Sequence, residues 1–244
     1  VKQTERWYSE RVGQHINLAR WGHLGQPVLV FPTAGGDYEE IERFLMIDVL
    51  SSLMEAGRIK VYSVDSINGR AWLSGEDPRH AAWLQSQFDA ALRHEVVPAI
   101  RADCRAPDIE VIAAGASIGA FNALALACRH PDVISAAICL SGTYDLSKWA
   151  QGVFTSDFYY TSPVHYLPDL QSGAQLDRLR QRFVLLAHGT GRYEEPEESW
   201  RVADLLGRKG VPNRVDEWHG YPHDWVTWRE MLPRYVDELV PHTS

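Results

Sequence analysis

Residues 110–127, Glu-Val-Ile-Ala-Ala-Gly-Ala-Ser-Ile-Gly-Ala-Phe-Asn-Ala-Leu-Ala-Leu-Ala, constrain this chain more than any other stretch. Val111 to Ala114 is a short apolar run that fits a strand buried on both faces. Leu124, Leu126 and Ala127, after a run of small residues, read as a buried helix. Between them lies Gly115-Ala-Ser-Ile-Gly119. A serine on so tight a strand-to-helix turn takes strained backbone angles. Its neighbours two positions away must be almost free of side chain for the two elements to approach. Ala116 and Ala120 keep the same space small. Ser117 would then stand above the sheet edge, with the first amides of the helix pointing at whatever its oxygen meets. A glycine-rich turn carrying a solvated serine satisfies the same pattern, so its meaning depends on what else reaches it.

The rest of the chain supplies the setting. Its 244 residues suit one sizeable α/β domain spanning 1–244, with no linker, repeat or low-complexity segment. A net charge of -8 argues against nucleic acid or an anionic membrane surface as the main partner. Cys104, Cys128 and Cys139 are odd in number and lie mostly in apolar segments, which points to free thiols rather than a disulfide framework, and no zinc spacing occurs. No apolar run approaches membrane-spanning length. The polar start Val-Lys-Gln-Thr-Glu-Arg lacks the core of a signal peptide, so the chain as it stands is expected in the cytoplasm.

Residues 1–24 read as an antiparallel hairpin, Tyr8–Val12 and His15–Arg20, turning at Gly13-Gln14. Pro27–Phe31 is a strand running into Pro32-Thr-Ala-Gly-Gly, followed by a helix from Asp37 to Ala56 and a strand over Ile59–Val64. Asp65–Glu76 reads as a loop, and Asp77-Pro78 opens a helix reaching about Arg101. Val133–Leu140, Phe183–Ala187 and Arg214–Trp218 are further strands, with helices over Glu195–Arg208 and Asp224–Leu239. Residues 143–173 form a long aromatic excursion, a candidate cap or pocket wall. After the hairpin, strand and helix alternate. The expected fold is therefore α/β, a mostly parallel sheet with helices on both faces and its site at the carboxyl ends of the strands.

The chemistry of a serine at such a turn needs a base, because a hydroxyl is a weak nucleophile at neutral pH. An imidazole titrates in the right range and must sit on a loop that folds back over the sheet. Trp218-His-Gly-Tyr-Pro-His-Asp-Trp225 supplies His219 and His223; His223, just before a helix, is favoured, and His188 also ends a strand. The base in turn needs a carboxylate to hold its tautomer. The loop after Phe183–Ala187 offers Glu194 or Glu195, against the plain reading that Glu194, Glu195, Glu197 and Glu198 decorate a helix N-terminus. Glu195 precedes Pro196, which places it at the helix boundary and leaves Glu194 in the loop. An oxyanion would find one donor in the Ile118 amide and a second in the glycine-rich loop Thr33-Ala-Gly-Gly36.

With these residues assembled, the chain resembles an α/β-hydrolase of the Putative esterase family, the group that holds esterase D and the mycobacterial antigen 85 acyltransferases. The likeness rests on Gly115-Ala-Ser-Ile-Gly-Ala-Phe-Asn-Ala-Leu-Ala-Leu-Ala127, His130-Pro131, Ser141-Gly142, Arg93-His-Glu-Val-Val-Pro-Ala-Ile100 and Pro222-His-Asp-Trp-Val-Thr-Trp228, and covers about residues 25–240. It implies Ser117 as nucleophile, Glu194 as acid, His223 as base, and the backbones of Ala34 and Ile118 as oxyanion donors. Two departures stand out. Pro32-Thr33 occupies a place where the family often has His-Gly, and the acid is glutamate, as in the antigen 85 type, where esterase D has aspartate.

The expected activity is that of a serine carboxylester hydrolase acting through an acyl-enzyme on a small-molecule ester with a small to medium acyl group. The alternatives are acyl transfer by the same chemistry or a non-catalytic binding member of the fold. No metal or organic cofactor is implied. Trp149, Phe154, Phe158, Tyr159 and Tyr160 follow a strand end, and Trp72 lies on the Asp65–Glu76 loop. Trp72, Trp149 and Phe158 are the candidate substrate-pocket residues, against the plain reading of an excursion packed on itself.

Overall fold

The computed structural model describes residues 1–241. Among the described residues eight strands form one sheet: β1 (Gln3–Ser9), β2 (Gln14–Trp21), β3 (Gln26–Phe31), β4 (Ile59–Val64), β5 (Val111–Ala116), β6 (Ile134–Leu140), β7 (Phe183–Gly189) and β8 (Asn213–Trp218). Their spatial order is β1-β2-β4-β3-β5-β6-β7-β8. β1–β2 and β2–β4 pair antiparallel and every later pair is parallel. This is the mostly parallel sheet that the alternation of strands and helices anticipated, in the α/β-hydrolase arrangement that the resemblance implied.

The sheet separates two apolar layers, and strand alternation assigns residues to them. Leu29 and Phe31 of β3 face one layer with the helices Pro78–Ala91 and Ile118–Arg129; Val28 and Val30 face the other, with the helix Trp225–Leu239. The central strand β5 is buried at every position. Its Val-Ile-Ala-Ala-Gly-Ala sequence is therefore uniformly apolar or small, as a strand covered on both faces requires. Among the described residues no helix is long and apolar enough to cross a membrane. All three cysteines are free; Cys128 and Cys139 are fully buried, and burial pushes the Cys128 thiol up to about 12.

Four local expectations are corrected. The first hairpin strand runs over Gln3–Ser9, earlier than Tyr8–Val12, with Gly13 at φ 63 closing the turn. This strand is an exposed sheet edge, so no apolar periodicity marks it. The Asp37–Ala56 helix is broken into Glu40–Arg43, Met46–Val49 and Ser51–Glu55, with Leu45 in the left-handed region at φ 62. The Asp65–Glu76 loop contains the helix Ile67–Leu73. The helix opened by Asp77 and Pro78 continues to Cys104 but widens over Leu92–Val96, where the Val97 amide reaches back to the Leu92 carbonyl. Pro98 explains the widening: it offers no N–H to the carbonyl one turn earlier.

Candidate active site

The turn after β5 has the geometry its glycines demand. Ser117 sits at φ 58, ψ -123, a region that side-chain-bearing residues rarely enter. A Cβ on Gly115 would lie 2.4 Å from the carbonyl carbon and oxygen of Gly119. One on Gly119 would lie 2.6 Å from the Pro32 carbonyl oxygen and 2.8 Å from that of Phe31. These are backbone atoms, so neither glycine can be replaced without moving the helix off the sheet. The same closeness places the Ile118–Arg129 helix N-terminus, whose first amides have no partner inside the helix, beside the loop that leaves β3. Ser117 is half-buried and its amide donates to the Leu140 carbonyl at 2.9 Å.

The loop after β3 is a tight turn in which the Gly36 amide donates to the Thr33 carbonyl at 3.1 Å and Gly35 takes φ 71. Glu40 holds it from behind. Its buried carboxylate accepts the Thr33 amide at 2.6 Å and the Thr33 hydroxyl at 2.9 Å. Burial raises the Glu40 carboxyl above its ordinary value, an effect the two Thr33 bonds partly offset. Arg70, on the Ile67–Leu73 helix, donates to the Gly35 and Gly36 carbonyls at 3.3 and 3.1 Å. The turn thus consumes the Thr33 and Gly36 amides, while the exposed Ala34 lies at its tip.

The loops after β7 and β8 meet each other. Tyr193, exposed and at φ 68, turns the chain so that the Glu194 side chain, 1% exposed, points inward. Glu194 Oε2 lies 3.5 Å from His223 Nδ1. The His223 amide donates to the Arg192 carbonyl at 3.0 Å, and the Gly191 amide to the Tyr221 carbonyl at 2.8 Å, which fastens the two loops together. Glycine is required here as well: a Cβ on Gly189 would lie 1.9 Å from the Tyr221 carbonyl oxygen. Glu195 instead sits at the boundary of the helix Pro196–Arg208, making no capping bond, with its side chain in solvent 3.5 Å from Lys148 Nζ. His219 is exposed, with Nδ1 3.3 Å from the Thr190 hydroxyl. His188 is buried, with Nε2 3.2 Å from Glu217.

A cavity of about 140 Å³ lies beside His223, walled by Ser141-Gly142-Thr143, Lys148, Tyr193 and Glu195. The Thr143 amide donates to the Ser117 carbonyl at 3.3 Å, so the cavity wall and the serine turn are directly joined. The candidate pocket aromatics stand elsewhere. Phe158 is fully buried, and Trp72, 5% exposed, meets it edge to face at 5.8 Å while donating to Gln85 at 2.7 Å. Both pack in the core layer over the Pro78–Ala91 helix, and Trp149 packs partly buried against that layer under the Lys148 ammonium. A larger groove of about 530 Å³, lined by residues such as Trp21, Gly22, Ile47 and Met54, contains none of the site residues.

Sequence reasoning did not single out three participants. Glu40 reads as an ordinary helix residue, and Trp228 enters only as part of the motif that follows His223, with no role of its own. Ser141 enters only as part of the Ser141-Gly142 pair in the resemblance, although it takes φ 46 and hydrogen-bonds Glu194 at 2.6 Å. Glu198 does more than decorate a helix start: its carboxylate accepts the Tyr144 and Asp145 amides at 2.7 and 3.2 Å and anchors the loop after β6.

Comparison with known proteins accords with this architecture. By sequence, none of the curated proteins matches the chain. Among solved structures, a ferulic acid esterase superposes with TM-score 0.75 at 15% identity, covering 98% of each chain. An S-formylglutathione hydrolase from Agrobacterium tumefaciens gives TM-score 0.70 at 12% identity, covering 97% of this chain and 93% of its own. The enterobactin esterase of Shigella flexneri gives 0.66 at 18%, covering 98% of this chain and 59% of the larger protein. At these identities the likeness is one of fold. The profile of the family described as Putative esterase matches residues 59–239, from β4 through the last helix. The chain belongs to the Putative esterase family of α/β-hydrolases.

Proposed function

We propose that this esterase-family protein is a serine carboxylester hydrolase that works through an acyl-enzyme. Ser117 Oγ attacks the ester carbonyl while His223 takes its proton, and Glu194 holds the imidazole and offsets the charge it gains. The amides of Ile118 and Ala34 receive the developing oxyanion. Collapse of the tetrahedral intermediate breaks the bond to the alcohol, which leaves with the proton from His223. Water then attacks the acyl carbon while His223 takes its proton; collapse breaks the acyl–Oγ bond, His223 returns the proton to Ser117, and the acid is released. The leaving alcohol departs on the His223 side, where the cavity is walled by polar groups, Thr143, Lys148 and Glu195 among them.

The observation that carries this reading is the pairing of a strained Ser117 at the end of β5 with a buried Glu194 facing His223 from the ends of β7 and β8. Backbone strain at a residue with no packing role is stability spent on placing a side chain. The test is Ser117→Gly. Glycine relieves the φ 58 strain, so the variant should be more stable than the natural protein by about 1 kcal/mol or more and unfold at a higher temperature. Ester turnover and labelling by a fluorophosphonate should both vanish. A Ser117→Gly protein that still turns over esters, or that still takes the label at the same rate, would sink the assignment.

A further inference from the structure

A buried carboxylate needs donors for both oxygens. In Glu194, Oε2 faces His223 and Oε1 accepts the Ser141 hydroxyl at 2.6 Å. Ser141 has one proton to give, and it goes to the carboxylate. Its oxygen in turn accepts the indole N–H of Trp228 at 3.0 Å, a contact sealed from solvent. With that donor in place the hydroxyl has a single rotor position that satisfies all three groups. Trp228 also meets the His223 ring edge to face at 5.1 Å and 87°. Ser141 itself cannot drift: its amide donates to the Ala187 carbonyl at 2.7 Å and its backbone sits at φ 46.

We infer that Ser141 and Trp228 are positioning residues, a relay from the indole N–H through the serine hydroxyl that fixes the Glu194 carboxylate with Oε2 turned to His223. The inference rests on the proposed roles of Glu194 and His223. Without the hydroxyl, Oε1 would be buried with no donor, and the carboxylate would rotate to share both oxygens with His223. The imidazole would then lose its fixed orientation at the moment it gains charge. A hydrogen bond to a charged group corresponds to roughly ten- to hundredfold in rate when it is needed only in the transition state.

The test is kcat and KM for Ser141→Ala, Ser141→Gly, Trp228→Phe and the double variant Ser141→Ala/Trp228→Phe, alone and in a Glu194→Ala background. Both Ser141 variants should lower kcat about ten- to hundredfold with KM within about twofold. Glycine also suits φ 46, so an equal loss in the two variants ties the effect to the hydroxyl and not to the backbone. Trp228→Phe keeps a ring against His223 and should cost less. The double variant should be no slower than Ser141→Ala, because both changes break one chain. In the Glu194→Ala background none of them should lower kcat further. Unchanged kcat in both Ser141 variants, additive losses in the double variant, or a further fall without Glu194 would overturn the relay. If Glu194→Ala by itself keeps full turnover, the proposed acid is wrong and the relay falls with it.

Discussion

Two segments leave neighbouring strands at the same edge of the sheet and are held in opposite ways. The turn after β5 is fixed by what is missing. Gly115 and Gly119 have no room for even one carbon, and the chain pays for the contact with strain at Ser117. The excursion over 143–173, after β6, is fixed by bulk. Phe158 is fully buried among Trp72, Phe154 and His165, with ring centroids 5.2 to 5.8 Å apart. Gln85 then bridges the Trp72 indole at 2.7 Å and the Thr161 hydroxyl at 2.6 Å. The turn holds a side chain out of the fold, and the excursion draws side chains in. Nearness to a strand end therefore does not make an aromatic a pocket residue; what it packs against decides.

The sharpest way to break this contrast is at Phe158. If it is a core residue, Phe158→Ala removes a fully buried ring and should cost about 3–5 kcal/mol in denaturant unfolding. The ratios of kcat/KM across esters of graded acyl length should stay as they are. A folded variant with near-normal stability and an altered chain-length preference would return the excursion to the substrate pocket.

The corresponding change in the turn is Gly119→Ala. The added carbon meets two backbone carbonyls, at 2.6 and 2.8 Å, so the helix N-terminus must move away from the loop after β3. Overpacking of this kind should cost about 1–3 kcal/mol. Because the move separates the Ile118 amide from Ala34, kcat should fall by about tenfold or more. Thermal melts and initial rates together check both parts. Full activity in a destabilised variant would mean that these two amides do not act as a pair.

The same contrast explains what could be read in the sequence. The turn, the parallel sheet and the strand ends that carry Glu194 and His223 follow from short-range rules: steric exclusion at Gly115 and Gly119, apolar runs such as β5, and the proline after Glu195. The core position of Phe158 and Trp72 depends on the Pro78–Ala91 helix, far away in the chain, and an aromatic residue looks the same in a core and in a pocket. Leu45 breaks a helix with no proline or glycine to announce it, and β1 lies at an exposed edge where polarity hides the strand. Ser141 bonds to groups 53 and 87 positions further along, so no local pattern could have named its partners.

Glu40 gives the smallest expected effect and the finest test of how the loop after β3 is held. Its carboxyl is buried behind that loop, and burial raises its proton affinity above the ordinary value of 4.5 despite two bonds from Thr33. The folded state therefore binds this proton more tightly than the unfolded chain does. The resulting stability is fully present below about the ordinary carboxyl value and is lost as pH rises through the raised one. Glu40→Gln removes the titration, yet the amide oxygen can still accept the Thr33 amide, and its NH2 can donate to the hydroxyl. The stability of the natural protein relative to Glu40→Gln should thus be greatest in acid and decline toward neutral pH. The difference between the two thermal midpoints should follow the same direction. Turnover at neutral pH should stay within about twofold, since the loop keeps its tie. Parallel melting curves from pH 4 to pH 8 decide it: a difference that does not vary with pH would show that folding leaves the Glu40 proton affinity unchanged, and one that grows toward neutrality would show that the charge is stabilised where it sits; either overturns the prediction.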